Sequence, residues 1–129
     1  MMKKNKSARS KLKRELDTAW SQLIHARDKV CRKCGGTSGL SAHHLVKRSN
    51  LALRWEEDNG LLLCFTCHIH QAHENSLMFA EWLRNTLGKK FVENLTERAN
   101  QLVKWSLQDL EDKLAELRRK KEEIDGTNN

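Results

Sequence analysis

Hydrophobic positions in this chain fall into short, regular sets separated by polar or charged stretches. From Ser10 to Asp28, the residues Leu12, Leu16, Ala19, Trp20, Leu23 and Ile24 repeat at three- and four-residue steps, which predicts one amphipathic helix over 10–28. Two compact apolar runs follow, "LSAHHLV" over 40–46 and "GLLLC" over 60–64, and they read as the strands of a hairpin. The polar, basic stretch 47–59 between them ends in "EEDNG", a turn-forming cluster. After Cys64 a helix is expected over about 65–74.

The rest of the chain has helical spacing. Ser76 suits the cap of "LMFAEWLRNTL", and Gly88 closes that helix. A further helix is expected from Lys89 to Lys104, with Phe91, Leu95, Ala99 and Leu102 on one face. Ser106 and Asp109 form a capping-box pair, with aspartate in place of the usual glutamate. Behind them Leu107, Leu110, Leu114, Leu117 and Ile124 make a stripe that Lys121 interrupts. It is too short for a coiled coil; packing on the domain is its simpler use, which leaves a monomer, and a homodimer is the other. The division along the chain is a basic disordered tail (1–9), an N-terminal helix (10–28), a compact core (29–75), a C-terminal helical region (76–124) and a frayed end (125–129). The fold class is α+β, mainly helical.

Charge adds a partner. The net charge is +7, and the first fourteen residues hold seven lysines and arginines with no acid. The remainder therefore sums to zero, but residues 25–55 carry seven basic residues against Asp28 alone. A basic face beside the "HH" pair points to a polyanion, most simply DNA. Arg32, Lys33, Lys47, Arg48 and Arg54 are the candidate phosphate contacts. Trp20, Trp55 and Trp82 read as core residues. No apolar run approaches a membrane span, and the charged N-terminus has no signal-peptide core. The expectation is a cytoplasmic protein with no membrane partner.

In such a compartment disulfides are rare, so the four cysteines read as metal ligands. Cys31-x-x-Cys34 and Cys64-x-x-Cys67 are two knuckles with 29 residues between them. Each supplies two thiolates to a tetrahedral zinc ion. The intervening length exceeds that of an ordinary zinc ribbon, and the inserted stretch contains the tandem histidines. Five of the six histidines (His43, His44, His68, His70 and His73) fall between Cys34 and Glu74. Successive strand residues point to opposite faces, so His43 and His44 are expected to do different jobs. His68 follows the second knuckle directly. His73 lies five residues later, about 140° around an α-helix.

The order of knuckle, His-His, basic loop, asparagine, knuckle and histidine resembles the HNH endonucleases of the four-cysteine zinc type, whose fold is the ββα-metal, or His-Me finger, core. The matching residues are His44 in "AHHLV", Asn59 in "EDNGLLLC" and His68 in "CFTCH", fifteen and nine residues apart. The resemblance spans about Val30 to Glu74, just over a third of the chain. More loosely, "HARDKVCRKCG" and "FAEWL" look like the NinG/Rap-like recombination nucleases of phages. The family resemblance implies a zinc-stapled core with a single-metal mechanism. His44 would be the general base, and His43 and His68 would hold a catalytic divalent cation such as Mg2+, Mn2+ or Ni2+. Asn59 would tie the loop to the hairpin and orient the strand that bears His44. The implied products carry a 5′ phosphate and a 3′ hydroxyl, from branched or phage recombination DNA in an infected bacterial host. Many relatives have aspartate at the His43 position, though histidine also occurs. A third ligand often stands four residues after the His68 position, which here is Ala72. His73 takes its place only if the helix bends or ends there, and His70 is a weaker candidate.

A non-catalytic, zinc-stabilised nucleic-acid-binding module would account for the cysteines and the charge but not for the His-Asn-His spacing. A helical interaction protein with the zinc part as scaffold is a third reading. The segment from Cys31 to His73 has few large apolar residues, so its folding should be coupled to zinc. A strong chelator should unfold it; a circular-dichroism melt unchanged in protein shown to be metal-free would contradict this.

Overall fold

The computed structural model describes residues 2–127; the side chains of residues 2–5 and of Gln71 are not described. The chain runs through α1 (Met2–Asp28), β1 (Leu40–His44), a 3-10 turn (Glu57–Asn59), β2 (Gly60–Cys64) and a π-helical segment (Cys67–His73). It ends with α2 (Ser76–Leu87), α3 (Lys89–Ala99) and α4 (Leu107–Thr127). The architecture is α+β and mainly helical, as the periodicity predicts, with one two-stranded antiparallel sheet. Leu40 pairs with Cys64, and His44 pairs with Gly60.

Strand alternation divides the apolar residues between two cores. Leu62 and Ala42 face α1 and α4, where they meet Leu16, Trp20, Leu23, Leu110, Leu114 and their neighbours. Leu63 joins Cys31, Cys67 and Phe79 in the second cluster, with Ala72 and Trp82 beside it. The stripe on α4 is therefore spent on α1, and that face is covered within the chain. The two helices run in the same direction: Arg9 donates to the carbonyl of Trp105, Arg118 pairs with Glu15, and Ile124 shares a surface cleft with Ala26. The capping box forms reciprocally at the start of α4. Ser106 Oγ accepts from Asp109 N–H at 3.0 Å, and Asp109 accepts from Ser106 N–H at 3.0 Å.

Several boundaries differ from the sequence expectation, among them the end of β1, expected at Val46 and found at His44. Residues 2–9, expected to be disordered, continue α1; alanine, lysine and arginine are good helix formers, and the apolar stripe behind them nucleates the helix. Met1 lies outside the described residues. Ser76 is the first helical residue of α2, with Asn75 at the cap, where its side chain instead donates to the carbonyl of His70 at 2.6 Å. α3 stops at Ala99, short of Lys104, and Leu102 is fully exposed. Asn50 Nδ2 takes up the Ala99 carbonyl at 2.8 Å, and the chain then extends to bring the Trp105 ring edge-on to Trp55 at 5.3 Å. At the other end, α4 runs to Thr127 through part of the expected frayed tail, and Asn128 and Asn129 lie outside the described residues. No helix among the described residues is long and apolar enough to cross a membrane.

Two buried or half-buried carboxylates on α1 fasten the helix to the hairpin and its loop. Asp28 accepts from Arg27, from Arg32 and from the N–H of Leu62, while Arg27 also donates to the carbonyls of Glu57 and Gly60. Asp17 accepts from Arg54 at 3.0 and 2.8 Å, from Arg48 at 2.8 Å and from the Trp55 indole at 2.9 Å. Burial raises the Asp17 carboxyl pKa, but these donors outweigh burial and hold it at about 2. Because the folded pKa lies below the unfolded one, the carboxylate contributes about 2 kcal/mol above the ordinary carboxylate range. That contribution fades as the pH falls through about 4 toward about 2. Asp17→Asn should therefore lower unfolding free energy by about 2 kcal/mol at pH 7. The gap from wild type should narrow in urea melts below about pH 4; equal stability at pH 7 would refute the account.

Candidate metal centres and catalytic side chains

The first knuckle is built by a tight turn after α1. Lys29, with φ of 68°, ends the helix, Gly35 at φ 77° turns the knuckle, and Cys31 N–H donates to the Gly36 carbonyl at 2.9 Å. A side chain at Gly36 would meet Cys34 Sγ at 3.3 Å. The second knuckle uses the end of β2 and the entry to the helical segment, where Cys67 N–H donates to Cys64 Sγ at 3.5 Å. Cys31, Cys34, Cys64 and Cys67 converge with their sulfurs within 4.8 Å of one another, and Cys34 and Cys64 are 3.6 Å apart. Four sulfurs about 2.3 Å from a tetrahedral zinc ion stand about 3.8 Å apart, so the cluster fits one. Burial works against the Cys31 thiolate, but backbone N–H groups from the knuckles offset it and bring its pKa to about 6. Burial and the neighbouring sulfurs push Cys67 up. One thiolate is tolerated and further ones repel it, which is the electrostatic situation a dication relieves.

His43, His68 and His73 form a second group, also with ligand atoms within 4.8 Å of one another. The ring centroids of His43 and His68 are 4.7 Å apart, and those of His68 and His73 are 4.8 Å apart. An α-helix would carry His73 off to the side. The segment instead has i→i+5 pairing, seen in the 3.1 Å bond from Glu74 N–H to the Ile69 carbonyl. This wider turn stacks residue 73 over residue 68. Ala72, the α-helical choice, is turned into the second core. Ser41 Oγ sits 3.1 Å from His68 Nδ1, a partner that leaves Nε2 available as a ligand atom. Burial, then the like charge of His68 and His73, lowers the His43 pKa to about 4. Its lone pair is therefore free at neutral pH. His70 points away and pairs with Glu74 at 3.1 Å; His25 is exposed on α1.

His44 takes the opposite face of β1. Its ring lies against Trp20 with centroids 3.9 Å apart and planes 9° apart. Its Nε2 is 2.9 Å from the Arg54 carbonyl, an acceptor that requires N–H there and leaves the lone pair on Nδ1. Burial holds its pKa below the ordinary value, against the Arg54 carbonyl bond and the Asp17 charge, which raise it. Asn59 is fully buried. Its Oδ1 accepts from Val46 N–H at 2.7 Å, and its Nδ2 donates to the carbonyls of Val46 and Leu53, both at 3.0 Å. The amide thus extends the ladder past His44 and ties in the loop.

The basic candidates part ways. Lys47 is exposed. Arg48 is exposed although it touches Asp17, and Arg32 is partly exposed beside Asp28. Lys33 lies over the Trp82 ring at 5.2 Å. Arg54 is largely buried by its two bonds to Asp17 and its contact with Trp55, so its guanidinium is engaged within the scaffold. Asp17 and Trp20 were not singled out from the sequence as site residues. The available signal was an acid and an aromatic three residues apart on the inward side of α1.

Set against known proteins, the chain matches no family model, no curated protein and no solved structure.

The histidine group and the cysteine group should respond separately to substitution. In His43→Ala, affinity for Mn2+ or Ni2+ measured by calorimetry should fall at least about 100-fold while zinc content stays at the wild-type level. Unchanged Mn2+ and Ni2+ affinity would exclude His43 as a ligand.

Proposed function

We propose that this chain is a metal-dependent DNA endonuclease of the HNH type, which hydrolyses phosphodiester bonds and leaves a 5′ phosphate and a 3′ hydroxyl. One observation carries the reading: three imidazoles converge around one point, and the next residue on the strand, His44, presents a half-buried, hydrogen-bonded imidazole with its lone pair free. The two stand at adjacent positions of β1, with His43 beside His68 and His44 against Trp20.

A divalent ion held by His43, His68 and His73 would neutralise charge on the phosphate and on the leaving oxygen. His44 Nδ1 would take a proton from water as the water oxygen bonds to phosphorus, and the bond from phosphorus to the 3′ oxygen breaks. The 3′ oxygen leaves with the electron pair and picks up a proton from solvent. Asn59 would keep the end of β1 and the following loop in register, so that His44 stays at the hairpin's end. Lys47, Arg48 and the basic N-terminal part of α1 would meet the DNA backbone. An imidazole set without a carboxylate suits Mn2+ or Ni2+ better than Mg2+, which prefers oxygen ligands.

Supercoiled plasmid with Mn2+ or Ni2+ tests the reading. Wild type should nick it, and His44→Ala should be slower by about 100- to 10,000-fold with metal binding intact. If both proteins are inert, or both cut equally, the reading fails. DNA binding by an inert wild type would favour a non-catalytic zinc-stabilised module.

A further inference from the structure

A general base on a strand end is useful only if its ring is held in one orientation, and in this chain the hold comes from helix α1. The Trp20 indole lies flat under the His44 imidazole, with centroids 3.9 Å apart and planes 9° apart. Trp20 is itself fixed: it is 2% exposed, and its Nε1 donates to the Glu56 carbonyl at 2.8 Å. Gly60, the cross-strand partner of His44, is what lets the indole in. A Cβ at Gly60 would stand 2.5 Å from Trp20 Cζ2.

Two constraints then act on the ring. The indole face fixes its plane. The Arg54 carbonyl, 2.9 Å from Nε2, fixes its rotation within that plane. The carbonyl is in turn held by the Arg54 side chain on Asp17, one helical turn before Trp20. An indole near nucleic acid can also stack on a base, but burial of Trp20 removes that use.

We infer that Trp20 is a positioning residue for the cleavage reaction, its indole face keeping His44 Nδ1 turned toward the attacking water. The inference rests on the nuclease reading of His44. It makes α1 part of the active centre and not an appendage beside it.

Single-turnover plasmid cleavage with saturating Mn2+, on full-length zinc-loaded protein, tests it. Trp20→Leu keeps apolar bulk and loses the aromatic face; Trp20→Phe keeps the face and loses the Nε1 bond. Trp20→Leu should cut about 10- to 100-fold more slowly, with DNA and Mn2+ affinities within about twofold of wild type. Trp20→Phe should recover most of the rate. A Trp20→Leu protein that cuts at the wild-type rate overturns the inference. So does a rate that falls together with Mn2+ affinity, or a phenylalanine variant no faster than the leucine one. If Trp20→Leu does not fold, the wild type still decides by NMR. The His44 ring protons, assigned by their loss in His44→Ala, should be shifted upfield by the indole; unshifted resonances overturn the stack. A wild type that binds Mn2+ but cuts no DNA defeats the nuclease reading and the positioning role with it, and the upfield shift then separates that outcome from a missing stack.

Discussion

Four sulfurs drawn together at one end of a hairpin set the geometry of the strands and helices that meet there. Two five-residue strands are marginal by themselves in water. Cys64 ends β2, Cys67 opens the π-helical segment, and Cys31 and Cys34 sit on the turn that leaves α1. Clamping these four residues fixes the strand exit, the helix entry and the end of α1 at one point. His68 is the residue after Cys67 and inherits that fix. At the opposite end, the buried Asn59 amide plays a complementary part by pairing with both backbone groups of Val46. The hairpin is thus closed by sulfur at one end and by an amide at the other, and the histidines lie between.

Strand periodicity then separates two residues that look interchangeable in sequence. His43 points toward His68, His73 and Phe79, among imidazoles and an aromatic edge. His44 points toward α1, onto an indole and a main-chain carbonyl. Their surroundings differ in kind: one is a cluster of lone pairs that suits a cation, and the other is a single ring held in place. On the proposed reading, this division would supply a metal-binding part and a base from adjacent positions on one strand.

Much of this was legible because its signals are local. Glycines and cysteines bracket the apolar runs, so β2 falls where the sequence puts it, and β1 lies within its predicted run. The knuckle spacing gives the sulfur cluster, and alternation gives the split between His43 and His44. What was not legible depends on tertiary contacts. Nothing in "CHIHQAH" announces i→i+5 pairing, and only the offset between Ala72 and His73 hints that one residue must be absorbed. α3 ends early because Asn50, from the distant loop, takes the Ala99 carbonyl. Arg54 looks like a phosphate ligand in the sequence, but Asp17 on α1 claims its guanidinium. The support under His44 joins residues 20, 44, 54 and 60, which no window of the sequence connects.

The hairpin and the segments that meet it bring together two candidate metal sites of different donor chemistry, one of four sulfurs and one of three imidazoles. Cobalt titration of metal-free protein, followed by visible and near-ultraviolet absorption, tests this most directly. The first equivalent should bring intense thiolate-to-metal charge transfer and tetrahedral bands, and a second should bind without added thiolate absorption. That second signal should be absent in His68→Ala. A single equivalent in the wild type, or a second signal that survives in His68→Ala, would contradict the two-site reading.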